Sequence, residues 1–327
     1  MHTMKKTLIA TLMFVFPFVL SGQTLDDAKD LYNKGAKVFG TDKDSALIYF
    51  ENSLGMCKTL GTPADSLRMK LETFIPSLYF DIANDAYKAR RLDEALVKAQ
   101  KSLDVAQLYK DERNTDKSSK LLVAINFVMG NNYFRKSDLD NAIKYYEITV
   151  KLDPNEEKAW YNMALAYLKK SDADKMVAAM DKTFELCKAE NDTLTISRAK
   201  MQCRDFFYKQ GIGQYQKNQD EAALSSMTKS LGYDEKYVDA YYIMATIYLK
   251  DKKANEALVA LNNGLKYETV PAKTARLYFQ MGYAYVALKK NADACTAFNK
   301  VIELKDKDLA PKAVEILKKN PVICEKK

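Results

Sequence analysis

Small and large apolar positions recur among polar stretches in a pattern that repeats six times between residues 76 and 319. With copies started at residues 76, 123, 157, 204, 238 and 275, the eighth position reads Ala83, Gly130, Ala164, Gly211, Ala245 and Gly282. The twentieth reads Ala95, Ala142, Met176, Ala223, Ala257 and Ala294. The twenty-seventh is small in most copies, as at Ser102, Thr149, Ser230 and Gly264, and the twenty-eighth is apolar in every one, from Leu103 to Ile302. Two helices need small residues where they cross closely and large ones to fill the gap to the next pair, so each copy predicts an antiparallel helix pair. Neighbouring pairs then bury each other's apolar faces, and the expected fold is one elongated stack.

Aromatic residues complete the register. Residues 123 to 156 carry Met129-Gly130, Tyr133, Ala142, Tyr146 and Pro154, and the last copy carries Tyr278, Met281-Gly282, Tyr285, Ala294 and Phe298. Trp160 with Tyr167, and Tyr241 with Tyr248, supply the aromatic pair in two more. This pattern resembles the tetratricopeptide repeat. It departs from that motif at Met176 in position 20, Gln214 in position 11, and Asn126 in position 4, where an aromatic belongs. The resemblance implies an all-α, right-handed α-solenoid of about six to seven helix pairs over residues 24–319. An atypical first copy near residue 27 contributes Ala46, Phe50 and Leu54. A capping helix over Ala310 to Lys319, opened near its first turn by Pro311, would solvate the other end ahead of a tail at 320–327.

Copies starting at 76 and 123, and at 157 and 204, are 47 residues apart instead of 34. The excess falls near 110–122 and 188–200, with a similar one near 61–75. These stretches read as too polar for a core and are expected on one edge, as lengthened helices, protruding hairpins or loops.

Lys5 and Lys6 precede an apolar run from Leu8 to Leu20 that ends in Ser21-Gly22-Gln23, the layout of a secretory signal over residues 1–23. Thirteen apolar positions are few for a membrane span, and no Cys closes the run, which argues against a lipoprotein. The sequence therefore reads as periplasmic or secreted, without stable membrane insertion after cleavage. Cleavage removes Lys5 and Lys6 and leaves 49 basic against 43 acidic side chains, net +6. The charges are dispersed, so nucleic acid is not the expected partner.

The single histidine, His2, lies in the removed segment. Histidine-based nucleophilic hydrolases and His-ligated metal sites are thus without their usual central residue. No cofactor, metal site or catalytic residue is expected. Cys57, Cys187, Cys203, Cys295 and Cys324 form no Cys-x-x-Cys clip. Cys57 and Cys295 read as buried thiols, while Cys187 and Cys203 flank an insertion and are a candidate disulfide. Asp44-Ser45-Ala46, Asp65-Ser66-Leu67 and Asp192-Thr193-Leu194 match a bacterial O-glycosylation pattern and suit helix capping equally well.

The resemblance also implies a concave wall built by the first helix of each pair. Candidate partner-binding residues on that wall are Phe80, Asn84 and Tyr87, then Phe127, Asn131, Phe134 and Arg135, then Tyr161, Asn162 and Lys169. Tyr208 and Lys209, Tyr242 and Lys250, and Phe279 and Tyr283 continue it. Aromatic residues bring contact area with little entropy to lose, which suits a protein or peptide partner. The clamp that some members use on a peptide's terminal carboxylate is incomplete, because Phe127 and Asp205 replace its two lysines while Asn131, Asn162 and Lys209 are present. The sequence therefore reads as a non-catalytic interaction scaffold of the bacterial cell envelope. A carbohydrate-binding module using tyrosine stacking is the alternative, and the oligomeric state stays open.

Overall fold

The computed structural model describes Gly22 and residues 24–325. The segment read as a signal lies outside the described residues except for Gly22. The chain divides into two compact units, Met1–Pro154 and Asn155–Lys327.

The first unit holds α1 (Leu25–Val38), α2 (Lys43–Leu60), α3 (Asp65–Lys88), α4 (Leu92–Leu108), α5 (Glu112–Arg135) and α6 (Leu139–Leu152). The second holds α7 (Glu157–Lys169), α8 (Ala173–Glu190), α9 (Thr193–Gln216), α10 (Asp220–Tyr233), α11 (Val238–Lys250) and α12 (Ala254–Leu265). It continues with α13 (Pro271–Ala287), α14 (Asn291–Glu303) and α15 (Leu309–Lys319). Within each unit every odd-numbered helix up to α13 packs on the next, and each pair packs on the following one. The described residues thus form seven helix pairs and a closing helix, with no strand, as the repeat pattern predicts.

The packing explains which positions are small. All six residues at position 20, Met176 included, are fully buried. A side chain added at Gly282 would stand 2.5 Å from the Phe298 ring, and one at Gly130 would stand 2.6 Å from Tyr146. Rings from the second helix therefore occupy the space that position 8 vacates. Position 27 is small for a second reason. Ser102 donates to the carbonyl of Pro76 and Ser230 to that of Arg204, each at 2.9 Å, and Ser53 repeats the bond to Ala28 at 2.7 Å. A buried hydroxyl thus ties the second helix to the start of its own repeat on the first helix.

Turns inside the pairs from α3 to α14 share one design. Three residues link the helices, and the middle one takes a left-handed backbone: Arg90, Ser137, Ser171, Asn218, Lys252 and Lys289, with φ between 56° and 63°. None is glycine, so the usual sequence signal for this helix-ending conformation is absent. Aspartates at Asp42, Asp111, Asp138, Asp172 and Asp192 accept backbone N–H bonds at helix starts, which satisfies donors the helix leaves unpaired.

The extra residues are helical. α3, α5 and α9 are each 24 residues long, against 13 in α7 and α11. Packing corrects the reading of 110–122 as too polar for a core, whereas 188–200 buries only Ala199. Leu71, Ile75, Leu121, Leu122 and Ala199 are buried, and so are Asn114 and Ser118. The buried polar groups have partners, since Ser118 shares a 2.7 Å hydrogen bond with Ser102 and Asn114 bonds Asp111.

The cysteine expectation is also corrected. Cys187 and Cys203 are free and buried, whereas Cys295 and Cys324 form a disulfide across a Cα separation of 5.2 Å. Cys187 turns toward α7 and donates to Glu157 at 3.2 Å. Cys203 turns toward Met176, 3.7 Å away, and Tyr233. Burial pushes both thiols up to about 12, so neither is poised to react. The disulfide fixes the tail to α14, and Ile323 completes the last core beside Phe298, Val301 and Ala313. No helix among the described residues is long and apolar enough to cross a membrane.

Candidate functional site

The residues read as partner-binding lie on α3, α5, α7, α9, α11 and α13, the first helix of each pair. Position 5 of every copy is a ring: Phe80, Phe127, Tyr161, Tyr208, Tyr242 and Phe279, all half-buried. The accessible part of each ring is contact area that the fold itself does not consume.

In the first unit Phe80 lies under Lys117, 5.6 Å from the ring centre, and Phe127 packs on Tyr146 at 6.2 Å. Asn131 accepts a 2.8 Å hydrogen bond from Tyr146, so its carbonyl oxygen serves its own helix pair. Asn84, Tyr87 and Phe134 are half-buried, and Arg135 is exposed and donates to Asn132.

In the second unit α9 packs on α11 and α11 on α13, so their rings share one face. Tyr208 meets Tyr237 edge-on at 5.0 Å, and the Arg204 guanidinium covers Tyr237 at 4.5 Å. Arg276 reaches back from α13 to cover Tyr242 at 4.5 Å while pairing with Asp239 at 2.7 Å. Burial raises the hydroxyl pKa of Tyr161 and Tyr208, which keeps both neutral donors. Phe279 and Tyr283 pack on Phe298 at 5.9 and 5.8 Å, and Tyr283 is 46% exposed.

The basic positions differ from one another. Lys250 of α11 pairs with Asp220 of α10 at 2.6 Å and lies over Tyr215 of α9, so it ties its copy to the preceding pair. Lys209 lines a cavity of about 590 Å³ with Leu168, Phe206 and Asp205, and Asp205 is neutralised by Arg204 at 2.8 Å. Asn162 is half-buried and Lys169 exposed, both on α7. The arginines over the rings and the Asp239 pair were missed by sequence reasoning, because their partners come from adjacent copies.

One cluster among the described residues places Glu157, Cys187 and Asp192 with ligand atoms within 4.8 Å of one another. The protonated Cys187 thiol already donates to Glu157, which makes it a poor ligand. Ser45, Ser66 and Thr193 all fall in the first turn of a helix, and Ser45 donates to Asp42 at 2.5 Å.

Stacked antiparallel pairs, small residues at each crossing and rings facing off the first helices define an α-helical repeat protein. Residues 130–171 match the TPR repeat model, and residues 157–189 and 275–308 match a tetratricopeptide repeat model. The chain carries tetratricopeptide repeats over these residues, and proteins of such repeats are in general non-catalytic scaffolds for protein interaction. No curated protein matches the chain. Solved structures similar to it include the MamA protein, with 20% identity, 57% of this chain and 93% of that one covered, and a TM-score of 0.34. YrrB, described as a TPR protein with an unusual peptide-binding site, shows 18% identity, coverages of 59% and 91%, and a TM-score of 0.33. A structure described as the TPR2AB-domain:pHSP90 complex of yeast Sti1 shows 17% identity, coverages of 76% and 98%, and a TM-score of 0.34.

Proposed function

We propose that this protein is a scaffold of the bacterial envelope that holds an extended or helical segment of a partner protein against the rings on its first helices. The observation that carries this reading is the partly exposed ring at position 5 in all six copies. A run of partly open aromatics offers a sequence-tolerant surface, with hot-spot energy in the rings and orientation from nearby polar groups. In the second unit those groups are Lys209 in its cavity beside α7 and the Asp239–Arg276 pair beside Tyr242. The export reading rests on the charged, apolar and small-residue order of residues 1–23. It expects a mature chain that begins close to Gln23 or Thr24.

The test replaces Tyr161, Tyr208 and Tyr242 together by alanine. Wild type and variant are then compared for partners captured by crosslinking in intact cells of the native organism. Central desolvated rings are each worth about 2 kcal/mol or more, so capture should fall by at least about tenfold while helix content is retained. Equal capture by a folded variant would move the binding surface off the first helices. Recovery of full-length chain in washed membranes would overturn the cleaved-signal reading.

A further inference from the structure

Position 4 of each copy is the ring that fills the space between a first helix and the second helices on either side. It is Tyr79, Trp160, Phe207, Tyr241 and Tyr278 in five copies, and Asn126 in the sixth. Where the ring is missing the first unit has a cavity of about 760 Å³ between α4 and α6, within the range that binding pockets occupy. Leu122 and Asn126 of α5 form its floor, and Leu96, Val97, Ile148 and Leu152 supply apolar walls. Val97 is 66% exposed, although α4 sits inside the unit's helix stack.

Two features describe the occupant. Asn126 is 2% exposed, and its side-chain oxygen has no hydrogen-bond partner, while its amide nitrogen donates to Leu122. A buried acceptor without a donor costs free energy that an incoming N–H or O–H would recover. The rim carries Lys98, Lys101 and Lys144 against Asp104. Lys98 is held by Asp44 at 2.5 Å, whereas among the described residues no ion pair engages Lys101 or Lys144, and Lys144 lies over the Tyr145 ring at 5.6 Å. We infer that this cavity is a second binding site, which takes a tryptophan or tyrosine side chain presented by an acidic segment of a partner protein. The partner's ring supplies in trans the position-4 aromatic that this copy lacks. The site uses the second-helix side of the first unit, so it stands independently of the ring face on the first helices.

The probe is a synthetic pentapeptide with a central tryptophan between acidic residues, added to methyl-labelled mature protein and followed by NMR. Saturable shifts are expected in the methyl groups of Leu96, Leu122, Ile148 and Leu152. Replacing the tryptophan by alanine should weaken binding at least about tenfold. Asn126→Phe should abolish the shifts, because its ring occupies the space. Lys101→Glu with Lys144→Glu changes two exposed side chains, leaves the fold intact and should weaken binding at least about tenfold. The Tyr161, Tyr208 and Tyr242 variant should bind the peptide unchanged, which separates this site from the first-helix face. Absence of saturable shifts at millimolar peptide, or equal binding by the lysine double variant, would overturn the inference.

Discussion

The long helices α5 and α9 have the same length and the same place in their helix pairs, yet the crossings built on them differ. α5 presents Leu122 and Asn126 where α9 presents Cys203 and Phe207. At the second crossing the Phe207 ring is 2% exposed, stacks on Tyr233 at 6.0 Å and lies under Lys229. The space left between α8 and α10 is about 430 Å³, against about 760 Å³ between α4 and α6. The crossing with a ring at position 4 thus leaves the smaller space, and the one with Asn126 there the larger. The repeat conserves its backbone plan under either choice, because each crossing is held by contacts on both sides.

The largest effect should come from opening the closed crossing. Phe207→Ala removes a buried ring that its neighbours cannot replace, and denaturant unfolding should show a loss of about 3–5 kcal/mol. A loss near zero would show that the ring is not core and that the two crossings are alike. The serines at position 27 sharpen the contrast further. Ser230 makes one bond, to the carbonyl of Arg204, while Ser102 bonds both the Pro76 carbonyl and Ser118. Ser230→Ala should cost about 1 kcal/mol and Ser102→Ala more, up to about 3 kcal/mol, since it leaves Ser118 buried without that partner. Equal costs would show that Ser118 adds nothing to the first crossing.

Closing the open crossing should raise stability. Asn126→Phe fills the cavity and removes an unpaired carbonyl, and thermal unfolding should show a gain of about 0.5–2 kcal/mol. A loss of stability would mean that the space is not shaped for a ring. The smallest effect at neutral pH is electrostatic. Burial holds the Cys203 thiol at about 12 against an ordinary 9.0. The folded state keeps the proton that the unfolded chain releases first. The stability this contributes is complete below pH 9 and declines as pH rises from 9 to about 12. Cys203→Ala should flatten that decline, and Leu122→Ala at the matching place in α5 should leave its slope unchanged. Equal slopes in the two variants would break the comparison.

Much of the fold was legible in the chain because the repeat averages local signals over six copies. Small residues at positions 8 and 20 and an apolar residue at position 28 recur often enough to fix the register, and Met176 or Gln214 cannot obscure it. Position 5 was legible in the same way. The turns were not, because Arg90, Lys252 and Lys289 adopt a left-handed backbone that glycine usually marks. The polarity of 110–122 also misled, since Ser118 and Asn114 are buried through hydrogen bonds that sequence does not display.

The sequence by itself determined that helices pair, where each pair crosses and which helix carries the rings, because those properties follow from spacing along one chain. Tertiary structure alone decided which cysteines meet. Cys187 and Cys203 are only 16 positions apart, yet their helices aim them at different neighbours, while Cys324 reaches Cys295 because Ile323 anchors the tail on α14. It also decided that Asn126, in sequence only a mismatch to the motif, stands at the floor of a cavity. The volume at that point belongs to four helices together, and no position in the chain encodes it alone.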